Sequence, residues 1–264
     1  MKTGYLGPEG SYSHLAALKM TPEGEIYAYD SFPLVFRALK TGEVDCIVIP
    51  IENSINGEVT QNVDLLQSED FVAVEECSIK IEHRLATLSG VDVRDIKRIY
   101  SHRQALDQCA KYLFDNFPDA KLIATPSTSA SLDMLCSAED GCIVGAHTNR
   151  DGITLTEKNI SDYRDNETRF LKVVRGKVDE SKPTEKIYIS LTCPNVPGSL
   201  LKLLEKIAEH RLNMSKLQSR PIKDRAHEFA FFIEIECDYS SPEIKRAVED
   251  IKSAALSFKM LGAY

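Results

Sequence analysis

Two rhythms of apolar and polar positions alternate along the first two thirds of the chain. Short runs with strand character fall at residues 3–6, 26–29, 44–49, 71–81, 96–100, 122–124, 142–145 and 169–174. The run at 44–49 is continuously apolar, as for a strand buried on both faces. Between these runs lie stretches with helical spacing. Ser11 can cap a helix over 12–20, and Ser31 can cap one in which Phe32, Val35, Phe36 and Leu39 share a face. Further helices are predicted over 58–66 and 104–114, and over a stretch capped by Ser127 that runs to residue 136. Such alternation predicts a parallel or mixed sheet with helices on its faces, with enough elements for two small α/β lobes.

Residues 186–264 follow another plan. A strand over 186–193 precedes a helix opened by Pro197, with Leu200, Leu201, Leu204, Ile207 and Ala208 on one face. Strands over 213–220 and 227–236 flank a turn at 222–225, a helix starts at Ser241-Pro242, and 258–261 is a last strand. The order βαββαβ is ferredoxin-like. Some 80 residues make a small core, so pairing with a second copy is expected. Between the two plans, residues 177–185 are polar and lack any apolar period, and read as a linker.

Composition narrows the functional classes. The 264 residues carry a formal net charge of −8, held by residues 1–184, while the remainder is near neutral. An acidic chain without a long apolar run is expected to bind neither nucleic acid nor membrane. No signal peptide is read at the N-terminus, and the seven cysteines show no C-x-x-C spacing. These features predict a reduced, cytoplasmic protein with no metal site.

Four polar stretches follow strand-like runs, where open α/β sheets hold ligands. Gly7-Pro8-Glu9-Gly10-Ser11-Tyr12-Ser13 puts two glycines and two hydroxyls at a helix start, either a capped turn or an anion cradle. Pro50-Ile51-Glu52-Asn53-Ser54-Ile55-Asn56-Gly57 is dense in hydrogen-bonding groups, and Asn53 and Ser54 can orient a carboxylate or hydroxyl. In Ser101-His102-Arg103-Gln104-Ala105-Leu106-Asp107-Gln108-Cys109, Ser101 or His102 can cap a helix that points Gln104 into a cleft; His102 reads equally as a cap or an acid–base group. In the stretch from Asp162 to Phe170, Thr168 offers a hydroxyl and Arg169 a bidentate partner for a carboxylate. The residues alone describe a two-lobed binder of a small anion through hydroxyl, amide and Arg contacts.

In this order and spacing the four stretches resemble the prephenate dehydratase family, whose pattern is Gly-Pro-x-Gly-x-x-Ser, Pro-x-Glu-Asn-Ser, Ser-His-x-Gln-Ala-Leu-x-Gln-Cys and Asn-x-Thr-Arg-Phe. The C-terminal part resembles an ACT regulatory domain, through Pro197-Gly198-Ser199-Leu200 and Ser219-Arg220-Pro221. The resemblance implies a two-lobed, periplasmic-binding-protein-like catalytic domain over 1–176, with one lobe of about 1–76 and 152–176 and the other of about 77–151. The linker 177–185 and a ferredoxin-like ACT domain over 186–264 follow. No segment with the character of a fused chorismate mutase is read.

The implied reaction converts prephenate into phenylpyruvate, water and CO₂ in L-phenylalanine biosynthesis, without metal or organic cofactor. The family's key threonine falls on Thr168, expected to assist departure of the ring hydroxyl; Asn53 and Gln104 match active-site amides, and Arg169 a carboxylate contact or organiser. Glu52, Ser11, Ser13, Ser54, Ser101 and Phe170 complete the expected substrate surroundings. The ACT part implies feedback by L-phenylalanine in a homodimer or homotetramer, through Pro197, Gly198, Ser199, Leu200, Asn213, Gln218, Ser219, Arg220 and Pro221. Ser199 stands where the family often has Ala, and Gln218 where it often has Glu. Use of arogenate is a close variant. A catalytically silent amino-acid sensor is the competing class, against which the intact Thr168-Arg169-Phe170 speaks.

Overall fold

A computed structural model describes residues 1–222 and 228–264. The first elements are β1 (Lys2–Leu6), α1 (Tyr12–Met20), β2 (Glu25–Tyr29), α2 (Phe32–Thr41), β3 (Cys46–Asn53), β4 (Gly57–Glu58), α3 (Thr60–Ser68) and β5 (Phe71–Lys80). Then come β6 (His83–Leu88), β7 (Arg98–His102), α4 (Arg103–Gln108), α5 (Ala110–Asn116), β8 (Lys121–Thr125), β9 (Asp140–Gly145), β10 (Ile153–Leu155) and β11 (Glu167–Arg175). The last are β12 (Lys186–Thr192), α6 (Ser199–Glu209), β13 (Asn213–Pro221), β14 (Phe229–Glu236), α7 (Pro242–Ala254) and β15 (Ser257–Ala263). They fall into two compact units. One comprises Met1–Val35, Val48–Val59 and Cys77–Phe170, and the other Phe36–Ile47, Thr60–Glu76 and Leu171–Tyr264.

The first unit holds two sheets. One has the order β5-β11-β3-β1-β2, counting the parts of β3, β5 and β11 that belong to this unit. Its apolar filling is Tyr5, Ala16, Ala17, Met20, Val48 and Phe170, where the small residues of α1 let the helix lie close to β1. The other has the order β10-β6-β9-β7-β8, with β7 parallel to β8 and β9 and with β6 antiparallel to β9 and β10. Here Ala105 and Leu106 of α4, Leu113 of α5 and Cys109 between the two helices pack on Leu85, Ile99 and Ile143. The chain passes to the second sheet after Ile81 and returns at Asn166, and the Ile81 amide donates to the Asn166 carbonyl at 2.7 Å. This is the two-lobed α/β plan expected.

Several elements depart from the sequence reading for physical reasons. The helix expected over 104–114 is two helices, because the Cys109 backbone (φ −116°, ψ 16°) leaves helical geometry. The Asp162 carboxylate, remote in sequence, accepts from the Lys111 and Tyr112 amides at 2.9 and 3.3 Å and so caps the restart. The stretch after Ser127 is a 3-10 helix, Ser129–Met134, although Ser127 does cap the Ala130 amide at 3.0 Å. Gly57 and Glu58 pair back on β3, so α3 begins later than expected. Strands β6 and β10 were not expected; the inward positions of β6 include polar His83 and Thr87, which hide its alternation.

In the second unit β13-β14-β12-β15 form an antiparallel sheet, and β15 runs parallel to β5 through Gly262 and Ala73. A side chain at Gly262 would sit 2.7 Å from the Ala73 Cβ, so only glycine allows this pairing. Leu203 and Ile207 of α6 and Val248 and Ile251 of α7 cover Ile187, Ile189, Ile233 and Ile235. The order βαββαβ is the expected ACT plan. Helix α6 starts at Ser199 behind a left-handed Gly198 (φ 83°), so Pro197 precedes the helix instead of opening it. The described strand β14 begins at Phe229; the expected strand start at His227 and the turn positions 223–225 lie outside the described residues.

Helix α3 is fastened within this unit by polar contacts. Arg220 pairs with Asp64, and the Gln67 amide donates to Ser190 Oγ at 3.1 Å. Lys259 Nζ donates to the carbonyls of Leu66 (3.1 Å), Gln67 (2.8 Å) and Glu69, which closes the C-terminal end of the helix with a cation. Burial pulls the Lys259 pKa down, against the upward pull of Asp70 and Glu69.

Candidate active site

The first unit contains a cavity of about 480 Å³ between its two sheets. Its wall includes Gly7 and Ser13, Pro50 and Asn53, His83, His102, Gln104 and Gln108, Ser127 and Thr128, and Thr168 and Phe170. All four polar stretches of the sequence therefore meet here. Among the described residues that line it, none is Lys, Arg, Asp or Glu.

Asn53, at the end of β3, is the hub. Its Oδ1 accepts from the Ile55 amide (3.1 Å), the Asn56 amide (3.0 Å) and Asn56 Nδ2 (3.0 Å), an Asx turn that the Asn53-to-Gly57 sequence builds for itself. With Oδ1 committed to backbone donors, Nδ2 must face the other way. Its two hydrogens are shared among Thr168 Oγ1 (2.9 Å), Asn166 Oδ1 (2.8 Å) and the Glu167 carbonyl (3.1 Å). Since Thr168 Oγ1 accepts this bond, its own hydrogen is left to donate elsewhere, and accepting strengthens it as a donor.

Strand alternation sorts the residues around Thr168. Thr168 and Phe170 line the cavity, whereas Arg169 between them does not. The Arg169 guanidinium pairs with Glu52 at 3.4 Å, itself the neighbour of Asn53 on β3. This pair braces the two strands that carry the hub and the threonine.

The hydroxyls expected near substrate have separate fates. Ser13 is buried and lines the cavity. Ser11 is the N-cap of α1, accepting from the His14 amide at 3.2 Å, and Ser101 is fully buried and donates to the Ile143 carbonyl at 2.7 Å. Ser54 donates to the Asp165 carbonyl (3.2 Å) and accepts from the Glu167 amide (3.0 Å), which holds the loop before Thr168. None of these three is among the lining residues. Gln104 is an exposed rim residue on the first turn of α4. His102 Nδ1 accepts from the Gln104 amide at 3.4 Å, so this histidine caps the helix.

Three participants were not singled out from sequence: Gln108, Asn166 and His83. All are buried. Asn166 Nδ2 donates to Gln108 Oε1 at 3.1 Å, and His83 Nε2 lies 2.9 Å from the same oxygen. Gln108 stands four residues after Gln104, on the same helix face, a spacing that could have revealed it. Burial holds the His83 pKa below its usual value, against the opposing influence of Gln108 and the Val144 carbonyl, so the ring is neutral near pH 7.

The glycine loop closes one side. His147 Nε2 donates to the Gly10 carbonyl at 2.8 Å, and Gly10 itself takes a positive φ of 76°. Tyr12 Oη donates to the Glu82 carbonyl at 2.6 Å and accepts from its amide at 3.1 Å, tying α1 to the entry of β6. Burial pushes the Tyr12 pKa well above 10, so it stays a phenol.

A prephenate dehydratase family profile matches residues 3–178, the segment that supplies every residue of this cavity. The chain belongs to the prephenate dehydratase family. An ACT domain profile matches residues 187–253. The prephenate dehydratase of Lactococcus lactis is 33% identical over 273 residues, spanning 100% of this chain and 97% of that protein. The bifunctional chorismate mutase/prephenate dehydratase of Escherichia coli K12 is 30% identical over 272 residues, covering 100% of this chain and 70% of that one. The crystal structure of prephenate dehydratase from Arthrobacter aurescens in complex with L-Phe superposes with a TM-score of 0.89 at 25% identity, covering 100% of this chain and 90% of that one. Members of this family are enzymes that dehydrate and decarboxylate prephenate.

The residues expected to sense phenylalanine lie in the second unit. Arg220 and Pro221 line a cavity of about 650 Å³ with Asp64, Phe232 and Leu256. Gln218 is half-buried on β13 opposite Phe232, Ser219 is exposed beside it, and Asn213 Nδ2 donates to Glu236 at 2.6 Å. Pro197 and Gly198 are exposed, and Ser199 and Leu200 begin α6; none of the four lines this cavity.

Proposed function

We propose that the cavity of the first unit converts prephenate into phenylpyruvate, water and CO₂, with Thr168 assisting the leaving hydroxyl. In the reaction the bond from the ring to its carboxylate breaks and its electron pair enters the ring. The carbon–oxygen bond across the ring breaks in turn, and the departing oxygen takes one proton, ultimately from solvent. The observation that carries this reading is the Asn53 Nδ2 bond to Thr168 Oγ1, which leaves the threonine hydrogen free to donate, in a cavity where none of the described lining residues is Lys, Arg, Asp or Glu. A hydrogen bond to the leaving oxygen grows stronger as charge develops there, so it favours the transition state over the bound substrate. A cationic clamp on the departing carboxylate would do the reverse, stabilising the group that must leave.

Asn53 orients Thr168, Arg169 with Glu52 braces the two strands, and Gln104, Gln108, Ser13 and Phe170 shape the wall. Domain limits of 1–176 and 186–264 joined by a linker suit this division of labour. The ACT domain binds L-phenylalanine as a feedback effector, consistent with the L-Phe complex of the Arthrobacter relative. The protein works in the cytoplasm as a homodimer or homotetramer.

The test is phenylpyruvate formation from prephenate by the purified chain, with and without L-phenylalanine. Turnover that falls with phenylalanine supports the whole reading. Turnover that ignores it removes the feedback role and leaves the lyase. An inert protein with both prephenate and arogenate would turn the reading toward the silent sensor.

A further inference from the structure

We infer that His83 is a positioning residue: as the neutral Nε2–H tautomer it fixes the side-chain amide of Gln108 so that the Gln108 NH₂ is presented to the cavity as a donor. The inference rests on the reading of that cavity as the prephenate site.

The orientation follows from a relay of single-valued choices. Asn53 Oδ1 accepts from two backbone amides, which can only donate, so its Nδ2 faces Asn166. Asn166 must then offer Oδ1 to Asn53 and Nδ2 to Gln108. Gln108 consequently turns Oε1 toward Asn166, and the same oxygen lies 2.9 Å from His83 Nε2. An amide oxygen only accepts, so His83 Nε2 carries the proton. This leaves Gln108 Nε2, buried on a residue of the cavity wall, with no hydrogen-bond partner among the described residues. A buried donor pair without a partner costs free energy unless a ligand or water meets it. The wall thus reserves this donor for an oxygen of the substrate, and two neutral donors hold Gln108 Oε1 so that the amide cannot rotate.

Without His83, Oε1 keeps only Asn166, and the flipped amide becomes accessible. The effect on catalysis should therefore pass through Gln108. Expected is a kcat for His83→Leu lowered by roughly tenfold or more, the scale of one oriented hydrogen bond, with a smaller change in KM. His83→Leu/Gln108→Leu should be no slower than Gln108→Leu alone. His83→Gln, whose amide nitrogen can still reach Oε1, should recover most of the loss, whereas the shorter His83→Asn should not. Additive losses in the double variant, or a His83→Leu enzyme within twofold of wild type, would overturn the inference. Should His83→Leu fail to fold, the Gln-against-Asn contrast carries the test, and equal rates for those two would count against it. Nitrogen-15 NMR of the His83 ring gives a readout independent of turnover. An Nε2–H tautomer that is lost in Gln108→Leu supports the relay, and an Nδ1–H tautomer defeats it. If wild-type protein leaves prephenate unchanged, the reading of the cavity fails, while the NMR still decides whether His83 donates to Gln108.

Discussion

The two units use polar groups in opposite ways. The polar groups on the cavity wall of the first are amides, hydroxyls and the imidazoles of His83 and His102, set among apolar side chains, with the charged neighbours Glu52 and Arg169 paired with each other. The second fastens α3 with full charges, Arg220 on Asp64 and Lys259 on three carbonyls. A dipole held by several bonds has one orientation and changes little as charge moves nearby, which suits a site where a carboxylate must depart. A buried cation is costly to leave unpaired, which suits a joint that must stay closed. The contrast teaches that charge is kept where an element is to be held and kept out where a group is to leave.

Removing the threonine hydroxyl should break the comparison most severely on the catalytic side. Thr168→Ala is expected to lower kcat by about 10²–10³-fold, the scale of losing one preorganised donor, with the melting temperature nearly unchanged, and Thr168→Ser should restore most of the rate. A steady-state assay beside a thermal melt checks both halves. On the structural side Lys259→Met should cost about 2 kcal/mol, because charge-assisted bonds to the end of α3 vanish; a denaturant titration with an unmoved midpoint would show those bonds to be idle. A cation placed at the neutral rim sharpens the contrast: Gln104→Lys should lower KM for prephenate yet slow kcat roughly tenfold, about 1.4 kcal/mol. If kcat holds in that variant, neutrality of the wall is not what the chemistry requires.

The smallest expected effect is on pH. Burial sets the folded-state pKa of His83 below that of the unfolded chain. The unfolded state therefore takes up the proton first as pH falls. The contribution is fully present above pH of about 6.5 and is lost as pH drops from there through the lowered folded value. His83→Gln should flatten that part of the stability curve, measured by urea unfolding from pH 7.5 to 5; an unchanged slope would mean the ring is not buried neutral.

Much of this was legible in the residues because it is local. The four polar stretches, the Ser11 cap and the βαββαβ order all rest on neighbours in sequence. What escaped depends on distance along the chain. The break between α4 and α5 is secured by Asp162, some fifty residues on, and β6 conceals its alternation behind buried His83 and Thr87. Ser101 and Ser54 looked like substrate hydroxyls, but each finds a backbone partner that only the folded chain brings near. Arg169 read as a carboxylate contact or an organiser of the site; its pairing with Glu52, outside the cavity lined by its two neighbours, accords with the second.

The uncharged wall has a consequence for ionic strength. Prephenate is a dianion, and the chain carries a net charge of −8. Salt has no cationic grip to weaken at the wall, but it does screen the repulsion met on approach, over a Debye length near 10 Å at 0.1 M. Added salt should therefore speed encounter, raising kcat/KM gently while kcat stays level. This is the reverse of the response of an anion site lined with arginine, where the same salt loosens the substrate.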